Sequence, residues 1–390
     1  MNFKLLFKNI YLFLLILFFI YTPQIILGGY IFRTIFLFPL FGGLIILISR
    51  GKIDIPKWIP IIYLIQVIFT CFIFLYNDYL ESFLIKQLFL YPFILLTGYY
   101  LIYEFKKFDN WYDKLMKFIF IALVLNSLII IIFSFFRDLN PFLHSIINIT
   151  EKQHKAIYET LVIRHSGFSV SGFSYLSFNT VLFYAMVFIH YFKKNNYHFI
   201  FGTLIILISN FFIARTGLFI MVIFTSILII KNINKLPVYF ILIICVFSGA
   251  YFFQEIFLDP RISEAIDRST GVFFYSENQS IDDLTYEADS FALENILLGD
   301  GDFKRDRGFM TDIGYLSFLK GSGVIGLFIF FLHFSFAILK YLNKFNNPKY
   351  FRIVLISIMC LTFSFKELIF LEHGYIQSYI LTILLIRNNE

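Results

Sequence analysis

The chain has 390 residues, 59% of them hydrophobic, with a mean hydropathy of +0.78. No soluble fold buries that fraction, so lipid must be the solvent for much of the chain. The formal charge of +6 comes mostly from basic loops beside apolar runs, which argues against a nucleic-acid partner. Aromatics reach 21%, with 56 Phe and 25 Tyr, and the Phe excess reads as lipid-facing filler rather than as a binding signal. Cys71, Cys245 and Cys360 all lie inside apolar runs and read as inert core thiols.

Lys4 and Lys8 precede the first apolar run, as in a signal peptide. No small-residue cleavage site follows and further spans do, so the run reads as a retained first helix. A crossing takes about 20 apolar residues. The runs place spans at 9–27, 31–49, 57–76, 84–103, 115–136, 174–192, 199–213, 217–231, 236–254, 312–339, 350–365 and 374–387. The expected fold is all-α: a single polytopic membrane domain of about twelve transmembrane helices.

Lys and Arg placement sets the orientation. One set of connections carries Lys4 and Lys8; Arg50, Lys52 and Lys57; Lys106, Lys107 and Lys114; Lys193 and Lys194; Lys231 and Lys235; and Lys340, Lys344, Lys349 and Arg352. The alternate short connections at Gly28–Tyr30 and Asn77–Glu81 carry none, and Lys86 just inside the fourth span is the nearest exception. Both termini are therefore expected in the cytoplasm. The tight turns Ala214–Gly217 and Lys366–His373 then face outward. So do two long loops, 137–173 and 255–311. Soluble chain concentrated on one face suits an enzyme acting on a lipid-carried, water-exposed substrate better than a channel or simple carrier.

The second long loop is acidic in its middle, with short helices expected at Ser263–Arg268 and Asp282–Leu297 and a turn at Gly299-Asp300-Gly301-Asp302. Asp300 and Asp302 loosely echo a calcium loop, but no full ligand set follows. The histidines are too scattered for zinc, and no glycine-rich nucleotide loop occurs. No metal, nucleotide or other cofactor is expected.

Arg215 lies between two apolar runs of about fifteen residues each, in Ala214-Arg215-Thr216-Gly217. Runs that short cannot both reach the outer surface, so their turn lies below it. Such spans point to a binding site, and a charge at depth needs a partner. An Arg snorkelling to the headgroups is the plainer alternative. Lys366 and Glu367 repeat the pattern near the chain end, or simply pair with each other. Arg164 and His165 precede Gly167 in the first long loop, where a solvated arginine is the bland reading. Lys304, Arg305 and Arg307 form a basic cluster, solvated or anion-binding. Asp312 opens the tenth span and suits an N-cap. Gly321, Gly323 and Gly326 then permit close helix packing. Taken together, outward arginines suit the oxygens of a phosphate or diphosphate.

With these residues in view, the chain resembles Wzy-type O-antigen or capsule repeat-unit polymerases from about Arg164 to Phe370. The resemblance rests on Arg164-His165-Ser166-Gly167, Ala214-Arg215-Thr216-Gly217, Leu298-Gly299-Asp300-Gly301, Asp312-Ile313-Gly314-Tyr315-Leu316 and Lys366-Glu367. It implies a glycosyltransferase of the bacterial inner membrane that polymerises undecaprenyl-diphosphate-linked repeat units at the outer leaflet. Undecaprenyl diphosphate is the leaving group. Carried over, Arg164, Arg215, Arg305, Arg307 and Lys366 would bind the diphosphate. Asp312, Glu367 and His165 all qualify by type for the catalytic base, and the sequence does not rank them. The implied partners are lipid-linked glycans, membrane lipid and, optionally, a chain-length regulator. An O-antigen ligase shares the topology but usually carries a His at the place of Asp312. A flippase for the same lipid tends to have short loops throughout.

Overall fold

A computed structural model describes residues 3–27, 30–49, 55–77, 82–149, 167–169, 173–192, 197–231, 296–299, 314–364 and 373–388. The expected ninth span at 236–254, most of both long loops and Lys366–Glu372 lie outside the described residues. So do the helices expected at Ser263–Arg268 and over most of Asp282–Leu297, whose last two residues, Ile296 and Leu297, form a turn.

The described chain is mostly helical: α1 Phe3–Tyr21, α2 Thr34–Ser49, α3 Trp58–Asn77, α4 Ser82–Phe105, α5 Trp111–Phe135 and α6 Asn140–Ile146, then α7 Phe173–Tyr191, α8 Tyr197–Phe211, α9 Arg215–Lys231, α10 Gly314–Tyr341, α11 Pro348–Phe363 and α12 His373–Asn388. Among the described residues, three stretches, Trp58–Asn77, Trp111–Phe135 and Phe318–Lys344, are long and apolar enough to cross a membrane. Shorter apolar helices accompany them.

The all-α expectation needs one correction. The first helix stops at Tyr21, not near Leu27. Pro23 disfavours the α region for the residue before it, and Thr22 takes a left-handed φ of +41°. Strands β1 (Gln24–Leu27) and β2 (Tyr30–Arg33) then pair antiparallel, Gln24 opposite Arg33 and Leu27 opposite Tyr30. β1 also reaches the first long loop. Ile25 bridges Ile147, and the Asn148 N–H donates to the Gln24 carbonyl at 2.8 Å. Asn148 Nδ2 donates to Gln24 Oε1 at 2.9 Å. Both partners belong to connections that the charge pattern assigns to one face.

Helix α11 begins two residues earlier than its apolar run, because Asn347 caps it: the Asn347 side chain accepts the Lys349 N–H at 3.0 Å and Pro348 opens the helix.

The chain divides into two compact units. The first comprises Met1–Ile20, Thr34–Leu115 and Asn278–Glu390; the second comprises Tyr21–Arg33 and Met116–Glu277. In the first unit, α4 packs on α2 and α12, α10 on α3 and α11, and α11 on α12. Small residues bring these helices close: a Cβ on Gly42 would lie 2.7 Å from the Leu96 carbonyl oxygen, and one on Gly98 3.0 Å from Leu384 Cδ1. At one end, Lys8 and Lys114 place their ammoniums 4.0 and 3.4 Å from the Phe108 ring centre, and Lys114 donates to Asn9 Oδ1 at 2.7 Å. Lys340 lies 6.0 Å from the Trp58 ring and Arg352 5.4 Å from that of Tyr112. These cations all come from the basic set of connections.

The tenth span departs from expectation. Gly323 has φ +63° and ψ −171°, so α10 is two helices meeting at a break, not one glycine-lined rod. Gly326 does serve close packing as expected: a Cβ there would lie 2.7 Å from Phe69 Cε1 of α3.

The second unit contains most of α5 with α6 to α9. Helix α9 packs on both α7 and α8. A Cβ on Gly202 would lie 2.3 Å from Phe120 Cζ, so α8 approaches α5 closely. Tyr184 of α7 and Thr203 of α8 join hydroxyls at 2.8 Å.

Candidate functional site

The Ala214–Gly217 turn is displaced from where the apolar runs place it. Helix α8 ends at Phe211, the turn is Phe212-Ile213-Ala214, and Arg215 is the first residue of α9. Phe212 and Ile213 are buried, so the turn is an apolar plug rather than a polar surface loop. Backbone bonds from the Ile213 and Ala214 N–H groups to the Asn210 carbonyl, at 3.3 and 3.1 Å, close it.

That position gives Arg215 a meaning the runs alone do not. A helix N-terminus carries a partial positive charge. A cation there is disfavoured by the dipole until an anion arrives, and the first N–H groups of a helix lack intrahelical acceptors. Helices α8 and α9 have 15 and 17 residues, about 22 and 25 Å of axis. Both fall short of the roughly 30 Å of hydrocarbon.

Beneath the turn, three helices meet. Ser177 of α7 donates its hydroxyl to Asn210 Oδ1 of α8 at 2.7 Å and approaches the Ala214 carbonyl at 3.5 Å. Asn210 Nδ2 donates to the Ile206 carbonyl at 2.8 Å. Gly217 of α9 lies directly against the pair: a Cβ there would be 1.7 Å from Ser177 Oγ and 2.6 Å from Asn210 Oδ1. Gly217→Ala is accordingly expected to push the first turn of α9 off Ser177. Overpacking of this kind costs typically 1–3 kcal/mol. A lowered melting temperature in detergent checks this; an unchanged melting curve would contradict it.

The seam continues. Ser209, next to Asn210, hydrogen-bonds Ser127 of α5 at 3.0 Å between hydroxyl oxygens. Asn126, next to Ser127, is 1% exposed, and its Oδ1 accepts the Phe168 N–H at 2.8 Å. Gly167 takes a left-handed φ of +57°, and a Cβ there would lie 2.2 Å from Asn126 Oδ1. Gly167 and Ser169 are buried. Asn126 stands nine residues before the end of α5 at Phe135, about 14 Å along the axis. The Gly167 turn thus rests on a side chain well inside a long apolar helix.

One polar seam therefore runs from the Gly167 turn through Asn126–Ser127, Ser209–Asn210 and Ser177 to the head of α9. It ties two of the singled-out segments together: the one that follows Arg164-His165-Ser166 and the one that begins with Arg215. Charged residues alone do not mark the seam residues in the sequence. Their signal was polar side chains inside apolar runs, which are costly in lipid unless they have a use.

Of the candidate site residues, Arg215 alone falls in the described residues, by its backbone. Arg164, His165, Arg305, Arg307, Asp312, Lys366 and Glu367 lie outside the described residues. Nearby chain places two of their neighbourhoods: Gly167 in the seam, and Gly299 on α10 of the first unit. Comparison with protein-family models, curated proteins and solved structures finds no match.

Proposed function

We propose that this protein is a multi-pass membrane glycosyltransferase that polymerises lipid-diphosphate-linked oligosaccharide repeat units at the outer face of the bacterial inner membrane. The observation that carries the reading is Arg215 at the positive end of α9, joined by the polar seam to the turn that follows Arg164. A permanently charged guanidinium added to a helix N-terminus is an arrangement suited to an anion. Two such segments at depth below one face suit the diphosphate of a lipid carrier.

On this reading the anomeric carbon of the growing glycan is attacked by a hydroxyl of the incoming unit, and its bond to the diphosphate breaks. Arg164 and Arg215 hold the departing diphosphate, with Arg305, Arg307 and Lys366 as further anion contacts. Fixed cations stabilise the charge that develops on the leaving group. Asp312, Glu367 and His165 are the groups able to take the acceptor proton. Both termini lie in the cytoplasm, and twelve spans alternate across the bilayer. The clustering of Lys8, Lys114, Lys340 and Arg352 with aromatics of neighbouring basic loops favours that orientation.

Loss of the protein should leave surface glycan one repeat unit long rather than absent, since flipping and ligation are separate activities. A gel of the deletion strain lacking glycan altogether would favour the ligase or flippase instead. Purified protein should polymerise lipid-linked repeat units in excess chelator and without nucleotide. Polymerisation abolished by chelator and restored by a divalent ion would overturn that part of the reading.

A further inference from the structure

Within the first unit, two glycines in the left-handed region meet: Gly299 at φ +70° and Gly323 at φ +63°. Gly299 ends the short stretch Ile296–Gly299 of the second long loop, and Gly323 breaks α10. In an unbroken helix the N–H groups of Val324 and Ile325 would reach back to the carbonyls of Lys320 and Gly321. Here they donate to Ile296 O at 3.0 Å and Leu297 O at 3.3 Å. The loop supplies the acceptors that let α10 restart.

The fit admits no side chain at either glycine. A Cβ on Gly323 would lie 2.2 Å from the Leu297 carbonyl oxygen. One on Gly299 would lie 2.5 Å from the Gly323 nitrogen and 2.6 Å from the Lys320 carbonyl oxygen. These are backbone atoms, which cannot swing aside. Asn77, the last residue of α3, donates Nδ2 to the Gly299 carbonyl at 3.3 Å. The inner half of α10 is held separately on α3, where Gln66 Nε2 donates to the Phe330 carbonyl at 3.4 Å. The joint lies where the outer half-helix, Gly314–Ser322, meets the inner one, and Phe318 of the outer half also packs on Phe330 across the break at 5.4 Å. Asp312 and Ile313 directly precede Gly314 in the sequence.

A glycine tolerates helical dihedrals, at a cost of about 1 kcal/mol relative to alanine. Gly323 alone therefore does not force the break; the docked segment does. We propose that Asn77, Gly299 and Gly323 are positioning residues of the polymerase reaction: through this joint the segment Ile296–Gly299 directs the half-helix Gly314–Ser322, which Asp312 closely precedes in the sequence. This assignment rests on the polymerase reading above.

The test uses full-length protein with Cys71→Ser, Cys245→Ser and Cys360→Ala, carrying Ile296→Cys and Val324→Cys. The Val324 N–H bonded to the Ile296 carbonyl at 3.0 Å holds the two backbones next to each other, and oxidation reads out that proximity. The cross-link should form on oxidation, weaken in Asn77→Leu, disappear in Gly323→Ala and return in Asn77→Gln, which restores a donor. In Asn77→Leu and Gly323→Ala without the introduced cysteines, turnover should fall about tenfold or more, and in Asn77→Gln it should recover. The KM for the lipid-linked donor should stay within about twofold, the pattern of lost alignment rather than lost binding. Asn77→Leu keeps the test open where Gly323→Ala fails to accumulate. Variants that lose the cross-link yet polymerise at the full rate overturn the positioning role. Failure of the cross-link in otherwise unchanged protein overturns the joint itself. A cross-link that forms in protein unable to polymerise removes the polymerase reading, and this assignment with it.

Discussion

On the proposed polymerase reading, Arg215→Ala, present at normal abundance, is expected to abolish the long glycan ladder, and Arg215→Lys to lower polymerisation roughly ten- to a hundredfold. Arg215 heads α9, where the helix dipole opposes a cation unless an anion is bound. A lysine keeps the charge but loses the planar, bidentate fork that matches phosphate oxygens. Hydrogen bonds to charged groups contribute on the order of 1.5–3 kcal/mol each. Where they form fully only as the diphosphate departs, their loss appears in rate rather than in binding. Arg261→Ala, in the second long loop, is the control and should be nearly silent. Abundance is read by blot and the ladder by gel. A full-length ladder from Arg215→Ala would reduce Arg215 to an interfacial anchor.

The second large effect is expected at the Asn126 pin. Asn126→Leu removes the acceptor of the Phe168 N–H, and a buried donor without an acceptor costs about 1–3 kcal/mol. Gly167→Ala fails for two reasons. Its φ of +57° is unfavourable for any residue with a Cβ, by roughly 1–2 kcal/mol, and that Cβ would meet Asn126 Oδ1 at 2.2 Å. On the same reading, either change should release the Gly167 turn and collapse the ladder to short products. Gly167→Ala and Asn126→Ala should be non-additive, because the second change clears the atoms that the added methyl would strike. A combined loss smaller than the sum of the two single losses is the expected result. Strictly additive losses would mean that Asn126 and the turn act separately, contrary to the contact between them.

Much of the helical framework was legible in the apolar runs. A run long enough to span lipid has few other solutions, because every backbone polar group must be satisfied within the segment. Helix ends were legible where the signal was local, as at Asn347-Pro348, which combines a capping side chain with a residue suited to the first turn. The hairpin at Gln24–Arg33 was not. Its residues are as apolar as a helix, and what makes them strands is a proline stop followed by pairing with each other and with Ile147. Hydropathy measures preference for lipid, not the choice between helix and strand.

The site divides in the same way. By itself the sequence determined that an arginine lies between two apolar runs too short to span alone, and that a glycine follows Arg164-His165-Ser166. Covalent order and hydropathy suffice for both. Only the tertiary structure decided that Arg215 begins a helix rather than sitting in a turn, because the buried Phe212 and Ile213 take up the chain reversal. It alone decided that Gly217 lies against Ser177 and Asn210, that Asn126 pins a loop 42 residues further along, and that Gly323 is a break rather than a packing face. Each depends on which remote atom fills a space or accepts a proton. A glycine or asparagine within a span carries no record of its partner, so those roles exist only once the helices have packed.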